Sequence, residues 1–155
     1  EYAGLGTLRI LADLYEQKGD ALAAARTTDR ALQYNSSDAD LLARKGKYYF
    51  SIDPEQLQAR VEQYGPGFDV AYCLQESNTI LDKYHELEWL EVADHLSKLA
   101  LIVQPQSLEA QVTRARVRLR FGDRDEAIAL LEQVRSVEMP SSLRSGDQDM
   151  WYAAH

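Results

Sequence analysis

The side chains best suited to nucleophilic or metal chemistry are few and scattered in this sequence. Its only histidines are His85, His95 and His155. None of them stands four residues from another, the spacing that places two ligands on one helix face. Cys73 is the single cysteine, so the chain has neither an internal disulfide nor a cysteine metal cluster. Its apolar neighbours predict a buried thiol rather than a nucleophile. These residues therefore predict no enzyme activity.

Recognisable loops for phosphate or metal ions are also missing. The sequence has no Gly-rich phosphate loop and no serine nucleophile elbow. Asp147-Gln148-Asp149 follows Gly146 as in part of a calcium loop, but the closing Glu is absent. We therefore predict that the chain takes no cofactor and no metal.

The charge and hydropathy of the chain limit its partners. The formal net charge is −8 at pH 7, whereas binding to a phosphate backbone begins with a cationic surface. No apolar run approaches the roughly 20 residues that span a bilayer, and no signal peptide is visible. We expect no nucleic-acid partner and no membrane insertion. The lone cysteine favours a reducing, cytoplasmic compartment. The sequence lacks an initiator Met, so we expect a fragment of a longer chain, and its oligomeric state stays open.

One stretch near the beginning shows how these residues are positioned. Four apolar residues recur with the spacing of one helix face, and a Gly-Asp pair then ends the helix, because Gly readily takes the left-handed conformation found there. A second helix follows, and its small residues allow two helices to approach closely. In chain order these residues are Leu8, Leu11, Ala12, Tyr15, Gly19, Asp20, Ala24 and Ala31.

This helix–turn–helix pattern resembles the tetratricopeptide repeat (TPR), a unit of about 34 residues. Units that start at Leu5, Ala39, Leu74 and Leu108 are spaced 34, 35 and 34 residues apart. Small residues recur at positions of the unit where the family has them. These are Ala12, Ala24, Ala31, Gly46, Ala93, Ala100, Ala115 and Ala127.

The resemblance implies an all-α fold, a right-handed α-solenoid of about four units. The units would cover residues 5–38, 39–73, 74–107 and 108–141, followed by the start of a further helix at 148–155, in one domain over residues 1–155. The second unit is atypical, because Asp53-Pro54 restarts a helix that must end by Gly65. In the fourth unit basic and apolar residues alternate at 113–121, as in a strand. The repeat register favours a helix there instead.

In TPR proteins the first helices of successive units line a concave groove that holds a partner. The repeat register assigns the groove positions of the family to residues of this chain. The predicted partner-binding residues are Arg9, Asp13, Arg44, Lys47, Asn78, Asp82, His85, Arg116 and Arg120, with Gln75 and Glu109 on the same face. The family's clamp for a terminal carboxylate needs an Asn where Asp13 stands. Because Asp13 would repel that carboxylate, we do not expect this clamp.

The resemblance implies a protein–protein interaction scaffold that binds a partner segment in its groove. Because Arg matches the geometry of a carboxylate, the basic groove residues predict a protein or peptide partner that carries acidic residues. The same side chains also fit solvated charges on helix faces. One alternative is a non-catalytic TPR region that positions or regulates another domain of a larger enzyme or of a secretion or export assembly. A second, an enzyme in its own right, lacks a nucleophile and base.

Overall fold

The computed structural model describes residues 2–135, and the regular structure in this range is entirely α-helical. Within those residues there are nine helices and no strand. The helices are α1 Tyr2–Lys18, α2 Ala21–Leu32, α3 Ala39–Ser51, α4 Pro54–Ala59, α5 Val61–Tyr64, α6 Val70–Lys83, α7 Leu87–Val103, α8 Leu108–Arg120 and α9 Arg124–Arg135. The prediction of an all-α fold is confirmed for the described part of the chain. The further helix predicted at 148–155 lies outside it.

A glycine followed by an aspartate separates α1 from α2 and α8 from α9. Gly19 and Gly122 both have a φ of 79°, a left-handed conformation that is costly for residues with a Cβ. The aspartate after each glycine then caps the next helix. Its side chain accepts a hydrogen bond from the amide three residues further on, at 3.1 Å for Asp20 and 3.2 Å for Asp123. Local residue chemistry thus sets both turns.

The segment whose alternation also fits a strand is helix α8. Ser107 caps it by accepting a hydrogen bond from the amide of Ala110 at 3.2 Å. Val112, Ala115 and Val117 are all 0% exposed, because α8 packs against α6, α7 and α9. A helix surrounded on several sides buries polar as well as apolar positions. This explains why the sequence of α8 lacks one clear apolar stripe.

The helices form two compact units, the first ending at Phe68 and the second beginning at Asp69. In the first unit α1 packs on α2, and α2 packs on α3. Its core contains Ala31, Leu32 and Leu41, against which Leu5 and Leu8 pack. The second helix is therefore the centre of this unit.

The segment after α3 differs from the single short helix that the sequence predicts. It forms two helices, α4 and α5, because the backbone leaves the helical conformation at Arg60, with φ −118° and ψ 21°. Asp53 caps α4 by accepting a hydrogen bond from the amide of Glu55 at 2.9 Å. Leu57 in α4 is 0% exposed. Despite its irregular backbone, this segment contributes to the core.

Polar contacts of Arg26, in α2, hold the segment that contains α5. Arg26 donates hydrogen bonds to the carbonyl oxygens of Gln63, at 2.7 Å, and Pro66, at 3.0 Å. Two guanidinium groups, those of Arg26 and Arg60, lie over the ring of Tyr64, each with its central carbon 4.6 Å from the ring centroid. These contacts connect the α5 segment to α2.

In the second unit α6 packs on α7, α7 on α8 and α8 on α9, and α6 also contacts α8. One core cluster contains Ile80, Leu81, Leu90, Ala93 and Val117. A second contains Ala115, Ala127 and Leu130. Cys73 is 0% exposed, so the prediction of a buried thiol is confirmed.

Ala127→Leu is expected to lower the free energy of unfolding by about 1–3 kcal/mol, because the added methylenes must enter a filled contact between helices. Ala127 is 0% exposed and packs with Ala115 and Leu130. Ala129→Leu makes the same change at an exposed position of α9 and should stay within about 0.5 kcal/mol. Urea unfolding followed by far-ultraviolet circular dichroism measures both. Equal losses would show that Ala127 is not at a close helix contact.

Candidate partner-binding faces

In the first unit, side chains of α1 and α3 meet on one face and form ion pairs along it. Three of the contacts join residues 31 positions apart in the sequence. The pairs, together called the α1–α3 ladder, are Arg9 with Asp38 and Asp40, Arg44 with Asp13 and Asp40, and Lys47 with Glu16. The two arginine side chains are only 32% and 29% exposed. Partial burial therefore protects their pairs from part of the screening by salt.

Glu16 connects two side chains of α3 in this ladder. It pairs with Lys47 and accepts a hydrogen bond from the Tyr48 hydroxyl at 2.8 Å. These two contacts, that of Lys47 first, hold the pKa of Glu16 below its usual 4.5. Burial, together with the hydrogen bond to Glu16, raises the pKa of Tyr48 to about 12. At neutral pH the glutamate is therefore ionised and the tyrosine is the donor.

Glu16→Gln is expected to lower the melting temperature at neutral pH, and this difference should vanish in acid. The pKa of Glu16 in the folded state is below 4.5. Its stabilising contribution is therefore complete above about pH 4.5 and is lost as the pH falls through the folded-state value. Thermal unfolding of both proteins from about pH 7 down to about pH 3 tests this. Glu55→Gln, at an exposed position of α4, should show no such dependence of the melting-temperature difference on pH. A Glu16→Gln difference that persists unchanged in acid would contradict an ion pair at this position.

The corresponding face of the second unit lies between α6 and α8. Asn78 is 4% exposed; its amide donates to the Thr113 hydroxyl at 3.1 Å and accepts from Arg116 at 2.6 Å. Arg116 also reaches a carboxylate oxygen of Asp82 at 3.2 Å. One guanidinium group thus connects a buried amide with an exposed carboxylate.

Arg120 lies at one end of this face, next to the C-terminus of α6. It donates hydrogen bonds to the carbonyl oxygens of Leu81, at 2.9 Å, and Tyr84, at 2.7 Å, and its guanidinium nitrogen lies 3.0 Å from Nδ1 of His85. Carbonyl groups at a helix C-terminus lack helical partners. Arg120 therefore caps α6 from the neighbouring helix.

The structure brings the nine predicted site residues together in two groups, one in each unit. The first group is Arg9, Asp13, Arg44 and Lys47, and the second is Asn78, Asp82, His85, Arg116 and Arg120. Each predicted cation has a carboxylate, amide or carbonyl partner within its own unit. Binding of a partner by these residues stays a prediction. All the predicted cations except Arg120 are already paired with a carboxylate of the chain.

The sequence interpretation missed the intrachain partners of these cations. It placed Glu16 and Asp40 on the same face as the basic side chains but did not pair them with those side chains, and it did not place Asp38 there. A signal was present, because charges of opposite sign recur 31 residues apart along α1 and α3.

An open groove of about 460 Å³ lies between α6 and α8, a volume within the range of ligand sites. Its lining residues are Ala71, Gln75, Asn78, Thr79, Asp82 and Glu109. Within the part of the chain that the structure describes, the side chains of Gln75, Thr79 and Glu109 have no hydrogen-bond or ion-pair partner. The sequence placed Gln75 and Glu109 on this face but missed Ala71 and Thr79. These two stand four residues before and after Gln75, hence on the same side of the helix.

Residues 2–135 were also compared with three other kinds of feature: a metal site, an enclosed cavity and a membrane span. This range holds no group of three or more His, Cys, Asp or Glu side chains placed to bind a metal ion. A cavity bordered by Tyr49 and Tyr64 has a volume of about 10 Å³, room for one water at most. None of the helices in the same range is long and apolar enough to cross a bilayer. His155 and the Asp147-Gln148-Asp149 segment lie outside the described residues.

Comparison of the chain with family models, with curated proteins and with solved structures finds no match. The function must therefore be argued from the residues and geometry described above.

Proposed function

We propose that the chain is a TPR-type helical-repeat scaffold in which the first helices of each compact unit present a face that binds a protein segment. Those helices are α1 and α3 in one unit and α6 and α8 in the other. The packing of small residues supports the repeat assignment. Positions are counted from the first residue of each predicted unit. The alanines at positions 20 and 27 are all 0% exposed, namely Ala24, Ala31, Ala93, Ala100 and Ala127. Small side chains at these positions allow the two helices of a unit to approach closely.

The observation that carries the binding proposal is the groove between α6 and α8. Among the described residues, its polar side chains Gln75, Thr79 and Glu109 have no hydrogen-bond or ion-pair partner and are available to another polypeptide. A groove also surrounds a bound segment more completely than an open helix surface does, which removes more of its area from water. The bound segment can belong to another protein or to a further domain of the same polypeptide.

Binding rather than catalysis is proposed, because neither face, among the described residues, places a nucleophile beside a base. The acidic partner predicted from the sequence remains part of the proposal for the α1–α3 ladder. There an incoming carboxylate must compete with Asp13 for Arg44 and with Glu16 for Lys47. An exposed ion pair contributes only about 0.2–1 kcal/mol, so such an exchange is nearly balanced.

Affinity capture with matched variants of the full chain tests the proposal. One variant carries Ala43→Tyr and Ala71→Tyr, which add bulk to exposed positions of the first helices α3 and α6. The control carries Ala59→Tyr and Ala129→Tyr at exposed positions of α4 and α9. Proteins captured from a lysate of the source cells by wild type should also be captured by the control and be lost with the first variant.

Two outcomes would overturn the proposal. Captured proteins that bind both variants alike would place the interface away from the first helices. Capture of no protein, while both variants keep the circular dichroism of the parent, would remove the support for a scaffold. Because all four alanines are exposed, neither variant should unfold the chain.

A further inference from the structure

We infer that the groove between α6 and α8 binds an extended segment that carries Arg or Lys side chains. This inference rests on the proposed function and specifies the partner of the second unit. It differs from the acidic partner that the sequence predicts, because the structure shows which charges of this face are already compensated.

The charges left over in the groove are negative. Arg116 is engaged by Asn78 and Asp82. The Asp82 side chain is still 62% exposed and uses only one oxygen in that pair. Glu109 is exposed and has no partner among the described residues. The groove lining therefore carries two carboxylates against Arg116, which is already bound, while Arg120 at the end of α6 bonds to the carbonyl oxygens of Leu81 and Tyr84. A cationic side chain entering the groove meets a carboxylate without displacing an existing contact.

The neutral lining residues fit an extended backbone. Gln75 and Thr79 stand one helical turn apart on α6, which separates their Cβ atoms by about 6 Å. Alternate residues of an extended chain repeat at about 6.6–6.8 Å. An extended segment that lies along α6 can therefore offer a backbone group to each of these two side chains. Ala71, four residues before Gln75, leaves room for the segment at the end of the groove.

Three blocked nine-residue Gly/Ser peptides with two central Arg, two central Gln or two central Glu residues are suitable probes. They are titrated into the full chain labelled with ¹⁵N, and amide shifts give the location and the Kd. The Arg peptide should shift amides of α6 and α8 in a saturable way, the Gln peptide should bind more weakly, and the Glu peptide should not bind there.

Variants distinguish binding of the Arg peptide in the groove from its nonspecific electrostatic attraction to a chain with net charge −8. Glu109→Gln should raise the Kd of the Arg peptide about 1.5- to 5-fold, the range of one exposed ion pair. Ala71→Tyr, which fills the groove without changing charge, should raise it about tenfold or more. Glu91→Gln removes an equal charge from an exposed position of α7 and should leave it unchanged.

Equal effects of Glu109→Gln and Glu91→Gln would overturn the inference, because binding would then follow net charge alone. Tighter binding of the Glu peptide would overturn it as well. If either result accompanied partner capture that is lost with the first-helix variant, the inference would fail and the proposed scaffold would stand. Capture that ignores the first-helix variant would overturn the scaffold itself, whatever the peptides show.

Discussion

Asp94→Ala should lower the free energy of unfolding by about 3 kcal/mol, the largest loss we expect from removing one charge in this chain. Asp94, on α7, holds two arginines of α8. Its carboxylate accepts hydrogen bonds from Arg114 at 2.6 Å and from Arg118 at 2.8 Å. The side chain of Arg114 is only 8% exposed. Removal of one partner from a buried ion pair leaves the other charge uncompensated and costs about 3–5 kcal/mol.

The expected loss lies at the lower end of that range for two reasons. The Asp94 side chain is 31% exposed, so part of its interaction is screened by water. Arg114 also keeps Glu126 at 3.7 Å and a hydrogen bond to the backbone carbonyl oxygen of residue 94 at 2.8 Å. The remaining contacts compensate some of the charge that the substitution leaves behind.

Urea unfolding of the wild type and three variants tests this account. Glu91→Ala removes an exposed carboxylate one turn earlier on α7 and should stay within about 0.5 kcal/mol of the wild type. The double variant Asp94→Ala with Arg114→Met should be more stable than Asp94→Ala alone, because replacing both partners avoids a buried, unpaired charge. A double variant less stable than Asp94→Ala would show that the pair is not the source of the effect.

The helices of this protein could be predicted from the sequence because their signals are local. Gly19 and Gly122 mark two turns with residues that favour a left-handed backbone. The helix start predicted at Asp53-Pro54 likewise agrees with α4, which begins at Pro54. Such boundaries depend on a few neighbouring residues, so periodicity and capping residues are enough to place them.

The candidate site could be predicted only in part, because register fixes the face of a side chain but not its partner. The sequence correctly placed Arg116 on the same face as Asn78 and Asp82. It treated Arg116 as available to a ligand, whereas it is bonded to both. Whether Arg44 contacts Asp13 or solvent likewise depends on the distance between two helices whose residues lie 31 positions apart. A pattern of neighbouring residues in the sequence does not determine the distance between these two helices.

The break between α4 and α5 depends on contacts that are equally remote in sequence. Arg26 of α2 bonds to carbonyl groups 37 and 40 residues further along the chain. The sequence predicted a short helix after Asp53 and did not predict the break at Arg60. The two guanidinium groups over the ring of Tyr64 come from Arg26 in α2 and from Arg60, the residue between α4 and α5. An arrangement of this kind follows from tertiary packing rather than from helix propensity.

Leu57→Ala should lower the free energy of unfolding by about 2–5 kcal/mol, the usual cost of truncating a buried leucine. Leu57 is 0% exposed, although α4 has only six residues. Isolated helices of this length are not stable in water, so packing must hold α4 in place. Alanine is at least as good a helix former as leucine. A loss of this size would therefore report a lost core contact rather than a weakened helix.

Gln58→Ala is the matched control, because it truncates the next side chain of the same helix at an exposed position. It should change the free energy of unfolding by no more than about 0.5 kcal/mol. Urea unfolding at one protein concentration measures both, and equal denaturant slopes would show that the unfolded states are comparable. Equal stabilities of Leu57→Ala and Gln58→Ala would mean that α4 does not pack on the rest of the first unit. A large loss at Leu57 alone would establish that the buried leucine holds this short helix in the core, where neither its length nor its helix propensity could keep it folded.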